Sequence, residues 1–256
     1  MAKGFDCATP LTAATAAAFR RDGFAFVCRY LTPVQNSWKR LTREEADRIS
    51  AAGLQIVSVF ETTADRALGG RAAGLTDGAA ALQLAAELGQ PAGSAIYFAV
   101  DFDATAAQMP TVIEYIRACS EATPGYPTGV YGSFAVIEAV KGAAVCSRYW
   151  QTYAWSRGRK ADGIHIYQYK NDVTVNGIGI DYDESYGSEG WWNTFPPAKS
   201  EPPVVKPPEP LFDAPAAAKV ISVLGALYGA SADEQVRQAA HFAASALRKE
   251  IGIPYE

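Results

Sequence analysis

Along the first 190 or so residues, short apolar runs rich in β-branched and aromatic side chains alternate with segments whose apolar positions recur every three or four residues. The runs predict eight strands. One ends at Phe5-Asp6-Cys7, and others cover Gly23 to Tyr30, Leu54 to Phe60 and Ala95 to Val100. A fifth lies around Gly129-Val130-Tyr131, followed by Tyr149 to Trp155, Ile164 to Gln168 and Ile178 to Tyr182. Helices are predicted over about 10–21, after Thr42, from Thr76 to Leu88, over about 105–122, and directly after Ser133. Local signals support these bounds. Thr9 and Pro10 read as an N-cap and first helical residue, Thr42-Arg43-Glu44-Glu45 as a capping box, and Gly53 and Gly89 as helix stops.

Strand, helix, strand alternation requires crossovers and so a parallel sheet. Eight strands point to closure, which predicts an α/β fold: a (β/α)8 TIM-like barrel whose last units have lost their helices. A doubly wound open sheet suits the first two thirds but leaves the helix-poor end unexplained. Proline at Pro196-Pro197, Pro202-Pro203, Pro207-Pro208 and Pro210 marks an extended connector. The expected layout is a barrel over 1–195, a proline-rich linker over 196–211 and a two-helix module over 212–256. In that module, Ala216 to Tyr228 and Ala232 to Ile251 read as amphipathic helices. Val220, Val223, Leu224 and Leu227 form one stripe, and Val236, Phe242 and Leu247 the other. So small a pair buries little core alone, so docking, self-association or wall binding is expected of it.

Composition narrows the function. A net charge of −4 gives no electrostatic footprint for nucleic acid. Two histidines and four scattered cysteines argue against a metal site, and no organic cofactor is expected. Cys7, Cys28, Cys119 and Cys146 read as reduced, buried small residues. No apolar run approaches the roughly 20 residues of a membrane span. The opening Met1-Ala2-Lys3-Gly4 enters a strand without a signal-peptide pattern, so cytoplasmic synthesis is the expectation, and any work outside requires a release route. Gly69-Gly70-Arg71 does not fit a phosphate loop and reads as a flexible lid. No Gly-x-Ser-x-Gly elbow is present.

The candidate chemistry lies at strand ends. Asp6, Glu61, Asp101 with Asp103, and Asp181 each follow an apolar strand. The strand C-termini of a parallel barrel open on one face, which carries the active site. Residues i and i+2 of a strand share a face, so Asp101 and Asp103 are expected to point together. Crowded carboxylates repel, which raises some pKa values and yields the proton donor and ionised partner that glycosidic cleavage requires. A lone strand-end Asp is as often a helix cap, and Asp103 is placed to cap the next helix. Late-strand aromatics, together with Trp38 in the loop after strand two, are candidate sugar platforms as well as ordinary packing residues.

The motifs Gly4-Phe5-Asp6, Arg29-Tyr30-Leu31, Ala99-Val100-Asp101-Phe102-Asp103, Gly129-Val130-Tyr131-Gly132, Trp150-Gln151, Tyr167-Gln168-Tyr169 and Ile180-Asp181-Tyr182-Asp183 occur in this order. Over about residues 3–192 the chain resembles the glycoside-hydrolase-like barrel family of unassigned function that is related to family 25 lysozymes. The resemblance implies cleavage of peptidoglycan by carboxylates at Asp6, Asp101, Asp103 and Asp181. It also implies substrate contacts from Arg29, Tyr131, Trp150, Gln168 and Asp183. The lysozymes keep Glu where this chain has Asp103, so the acid role falls to Asp103 or to Glu61, or activity is lost. Barrel, proline linker and small module together resemble the layout of phage endolysins. The expected function is therefore a lysozyme-type glycoside hydrolase with peptidoglycan as partner, and the alternative is a non-catalytic wall-glycan-binding barrel.

Overall fold

Eight strands close into a barrel in sequence order: β1 (Ala2–Asp6), β2 (Phe26–Leu31), β3 (Gln55–Phe60), β4 (Ile96–Ala99), β5 (Thr128–Gly132), β6 (Arg148–Thr152), β7 (Ile166–Val175) and β8 (Ile178–Ser185). The structure, a computed structural model, describes residues 1–195 and 214–250. The expected linker, 196–211, lies outside the described residues. The chain divides into two compact units, Met1–Pro196 and Pro197–Glu256.

Each of the first five strands is followed by a helix: α1 (Ala13–Arg21), α2 (Arg43–Ala51), α3 (Gly70–Leu88), α4 (Met109–Ala122) and α5 (Phe134–Gly142). Alternation along the strands divides the core in two. Phe26, Cys28, Val57, Val59, Tyr97, Ala99, Tyr131 and Trp150 pack as one buried cluster. Val27, Ile56, Ile96, Phe98 and Val130 belong to the other, with helix residues such as Ile49, Ile116 and Ile137. The first cluster fills the barrel and the second seals it to its helices.

The barrel departs from an all-parallel one. β1 to β7 pair in parallel, but β8 runs antiparallel to both β7 and β1. The cause is local: Asn176 and Gly177 both adopt positive φ, 52° and 76°, the geometry of a two-residue hairpin turn. β7 therefore extends to Val175 and folds straight back, with no crossover helix. Register shifts between Gln168 and Lys170 and between Lys170 and Val173 mark bulges in β7.

Several local expectations change in detail. α1 is capped by Thr12, whose hydroxyl accepts from Thr15 N at 3.1 Å, and not by Thr9. Thr42 caps α2, but Glu45 does not reach back to complete a box. Its carboxylate turns inward instead, to Arg29 and to Leu11 N–H. The supposed lid is ordered structure: a 3₁₀ turn spans Arg66–Gly69 and α3 begins at Gly70, six residues before Thr76. Arg66 donates two hydrogen bonds to Asp77 (2.7 and 2.8 Å), which also accepts from Tyr115 Oη at 2.9 Å. Gly74 and Gly78 let α3 approach α4 closely, since a Cβ on either would overlap Tyr115 or Ala122. α4 begins at Met109 with Pro110 in its first turn, too far along for Asp103 to cap it.

In the second unit, α6 (Ala214–Ala230) and α7 (Glu234–Glu250) form the expected helix pair. Asp233 Oδ1 caps α7 by accepting from Gln235 N at 2.8 Å. Among the described residues of this unit, the buried apolar side chains are Ala217, Ala240 and Ala244, while Val223, Leu227, Tyr228, Val236 and Phe242 are exposed. Among the described residues, no helix is long and apolar enough to cross a membrane.

Candidate functional site

Where β1, β3 and β4 end, a cavity of about 160 Å³ opens into the barrel. Asp6, Glu61, Asp101 and Asp181 all line it, together with Tyr30, Tyr131, Trp150, Gln168 and Asn171. Three of the acids arrive as parallel topology dictates: Asp6 ends β1, Glu61 follows β3, and Asp101 lies two residues past β4. Asp181 arrives differently. β8 is reversed, so its N-terminal half reaches the mouth, and Asp181 pairs in register with Asp6.

One side chain links this pair. Gln168 Nε2 donates to Asp6 Oδ2 at 2.7 Å and to Asp181 Oδ2 at 3.2 Å, while its Oε1 accepts from Tyr131 Oη at 3.0 Å. The β7 bulge adds two features. Asp172, at φ 57°, donates its backbone N–H to Asp181 Oδ1 at 2.8 Å. Asn171 lines the cavity, and its Oδ1 is buried without a hydrogen-bond partner.

The electrostatics favour proton storage. Burial, then the Asp181 charge beside it, pushes Asp6 up to about 7 against the hydrogen bond from Gln168. Below Asp6 lies Asp183, wholly buried, whose Oδ1 accepts from Trp150 Nε1 at 2.9 Å. Burial, then the Asp6 charge, raises Asp183 well above the usual carboxylate range. Burial likewise raises Glu61, opposed by Lys39, whose Nζ stands 3.6 Å from Glu61 Oε1. Burial raises Asp101 too, again opposed by Lys39, and burial raises Asp181.

Three residues named from sequence lie elsewhere. Asp103 is exposed and does not line the cavity, because β4 ends at Ala99 and the same-face spacing no longer applies beyond it. Arg29 is fully buried in an ion pair with Glu45 at 2.8 Å, so it does not face a ligand. It also donates to the Cys7 and Ala8 carbonyls, fixing the loop after Asp6. Asp183 supports the floor and is not among the residues lining the cavity. Conversely, the sequence pattern marks neither Lys39 nor Asn171, and Tyr30 only within the motif Arg29-Tyr30-Leu31. Asn176-Gly177, the turn signal that folds β7 back and brings Asn171 into play, was legible. The four cysteines are free thiols. Among the described residues, no group of three or more His, Cys, Asp or Glu side chains is arranged to hold a metal ion.

Known proteins share this architecture. The Tat-secreted protein Rv2525c of Mycobacterium tuberculosis, solved with L-tartrate, superposes with a TM-score of 0.67 at 24% identity, over 75% of this chain and 98% of that one. A family 25 glycosyl hydrolase of Streptococcus pneumoniae, a virulence factor participating in host cell invasion, superposes at 0.51 with 10% identity, over 72% of this chain and 86% of that one. The Bacillus subtilis protein YbfG is 34% identical over 147 residues, 51% of this chain, and the match spans 20% of YbfG's own length. The barrel thus shares its fold with a family 25 glycosyl hydrolase. The family model of the Rv2525c-like, glycoside hydrolase-like domain matches residues 17–186, and the chain belongs to that family.

Proposed function

We propose that the protein is a peptidoglycan-directed glycoside hydrolase of the lysozyme type. The observation that carries this reading is the set of four carboxylates from four strands around one cavity, with pKa values raised by burial. Glycosidic cleavage uses a protonated carboxyl to donate to the leaving oxygen and a second carboxylate on the other side of the bond. Glu61 is the proposed acid. It has the longest reach of the four, stands at the mouth, and burial favours its protonated form. Asp103, the other candidate, lies outside the cavity. Asp101, Asp6 and Asp181 are the proposed partners, with Gln168 Nε2 donating to both Asp6 and Asp181 and so holding the two carboxyl groups together.

The site of action follows from that substrate: the wall, after the protein leaves the cytoplasm. Secretion of the mycobacterial relative and the endolysin-like layout of barrel plus helical module support two routes there. The exposed Val223, Leu227, Tyr228 and Phe242 of the helical unit support self-association as a further partner reading.

The deciding experiment is release of reducing ends from purified walls. Wild type releases them and Glu61→Gln does not. A wild type that co-sediments with walls yet releases nothing establishes the non-catalytic, glycan-binding alternative.

A further inference from the structure

The carboxylate cavity is not isolated. A second, wider cavity of about 310 Å³ shares Asp6, Tyr30 and Asp181 with it. Its rim carries Trp38, which at 62% exposure is the most solvent-accessible of the five tryptophans. An indole held open to water on a pocket edge leaves a large apolar face unused, and pyranose rings present the C–H faces that cover such surfaces. Asp172 and Thr9 also line this cavity and offer acceptors for ring hydroxyls.

The wall opposite β8 is fixed. Arg29, wholly buried, donates to the Cys7 and Ala8 carbonyls, both in this lining. Glu45 holds Arg29 on one side and accepts from Leu11 N at 2.9 Å on the other. Ordering that loop in advance removes an entropic cost of binding. No residue lining the second cavity is basic, whereas Asp6, Asp172 and Asp181 are acidic. Such a lining disfavours a carboxylate-bearing sugar and suits a neutral one.

We propose that the second cavity is a sugar subsite in which Trp38 stacks on a neutral N-acetylhexosamine ring next to the cleavage centre. The protein then engages several consecutive sugars of a chain. This rests on the glycan reading above and adds to it which kind of sugar occupies the neighbouring position.

Calorimetric binding of β-1,4-linked N-acetylglucosamine oligomers of two and four sugars, beside wall turnover by the same preparations, tests it. In the wild type the tetramer binds about tenfold more tightly than the dimer, the size of one good aromatic contact. Trp38→Ala loses that gain, and Trp38→Phe keeps most of it. Trp191→Ala, an exposed tryptophan outside both cavities, matches the wild type. Equal binding of the two oligomers by the wild type, or unchanged tetramer binding by Trp38→Ala, overturns the subsite even if walls are still cleaved. A wild type that binds neither oligomer and releases nothing from walls overturns the glycan reading and the subsite together.

Discussion

Asp6 and Asp181 face each other as a backbone pair across the antiparallel β1–β8 ladder, and a single amide, Gln168 Nε2, donates to both carboxylates. Two like charges directly opposite on paired strands destabilise a sheet. Here the conflict is lowered by a proton, since burial and the Asp181 charge push Asp6 up to about 7. The arrangement costs stability and holds a titratable proton at the cavity floor, a trade expected of a functional site.

That cost has a sign and a pH window. Asp6 has a folded pKa above its unfolded value, so the native state binds more protons between about pH 4 and 7. Stability therefore falls as pH rises through this window and levels off above it. Three pKa units correspond to roughly 4 kcal/mol as an upper bound for one group. Asp6→Asn removes the titrating proton and keeps an acceptor for Gln168. Melting curves at pH 5 and pH 8 should show the variant gaining most over wild type at pH 8. An equal gain at both pH values would refute a protonated Asp6.

The identity of the acid is open to a direct comparison. Glu61→Gln should lower wall turnover about 10²–10⁴-fold with the melting temperature nearly unchanged. Asp103→Asn, on the exposed side, should stay within about twofold of wild type. The reverse ranking, measured as reducing ends released, would return the acid role to Asp103 and require the loop after β4 to rearrange around substrate.

Arg29 and Glu45 stabilise the loop after Asp6 as a buried, bidentate pair. Removing one partner of such a pair leaves an uncompensated buried charge, at about 3–5 kcal/mol. Arg29→Met should lower the melting temperature by roughly 10 °C in a domain of this size. The double variant Arg29→Met with Glu45→Leu should recover a large part of that loss. A double variant no better than the single one would locate the effect in the Cys7 and Ala8 carbonyls instead.

Close approach of α3 to α4 gives a test of packing alone. Gly74→Ala gains up to about 1 kcal/mol of helix propensity but drives a methyl group into the Tyr115 backbone carbonyl. A net destabilisation of about 1–3 kcal/mol is expected in denaturant titrations. A stabilised variant would mean that the two helices separate easily.

Much of this was legible before any coordinates, for physical reasons. Strand alternation and caps such as Thr42 and Ser133 are local signals, and locally coded elements read well. Asp6, Glu61 and Asp101 followed from barrel topology, because parallel strands bring their C-termini to one end. Asp181 was assigned to the right place on a premise that fails, since β8 is reversed. The bulge that brings Asn171 to the carboxylate cavity and Asp172 to its neighbour breaks the period of two on which strand reading depends. Arg29 looked like a ligand contact because nothing in the sequence shows that Glu45, on another element, neutralises it. Asp103 falls elsewhere because it lies four residues past Ala99, where the strand and its same-face spacing end.

The helical unit supplies the last prediction. Its described interior is built of alanine methyls, while Phe242 is 77% and Val223 67% exposed. Burying a Phe or Val side chain contributes about 1.5–3 kcal/mol, and here that stabilisation is left unclaimed by the pair itself. Two such pairs placed face to face make a four-helix core, the smallest arrangement that covers these residues on all sides. The chain of residues 1–256 should therefore sediment as a concentration-dependent dimer. Phe242→Lys places a charge in the contact and should weaken association at least about tenfold. Wall turnover per barrel is expected to persist, because the residues described as lining the carboxylate cavity all belong to the first unit. A monomer at all concentrations in both forms would refute self-association and leave wall glycan as the partner to be tried against this apolar face.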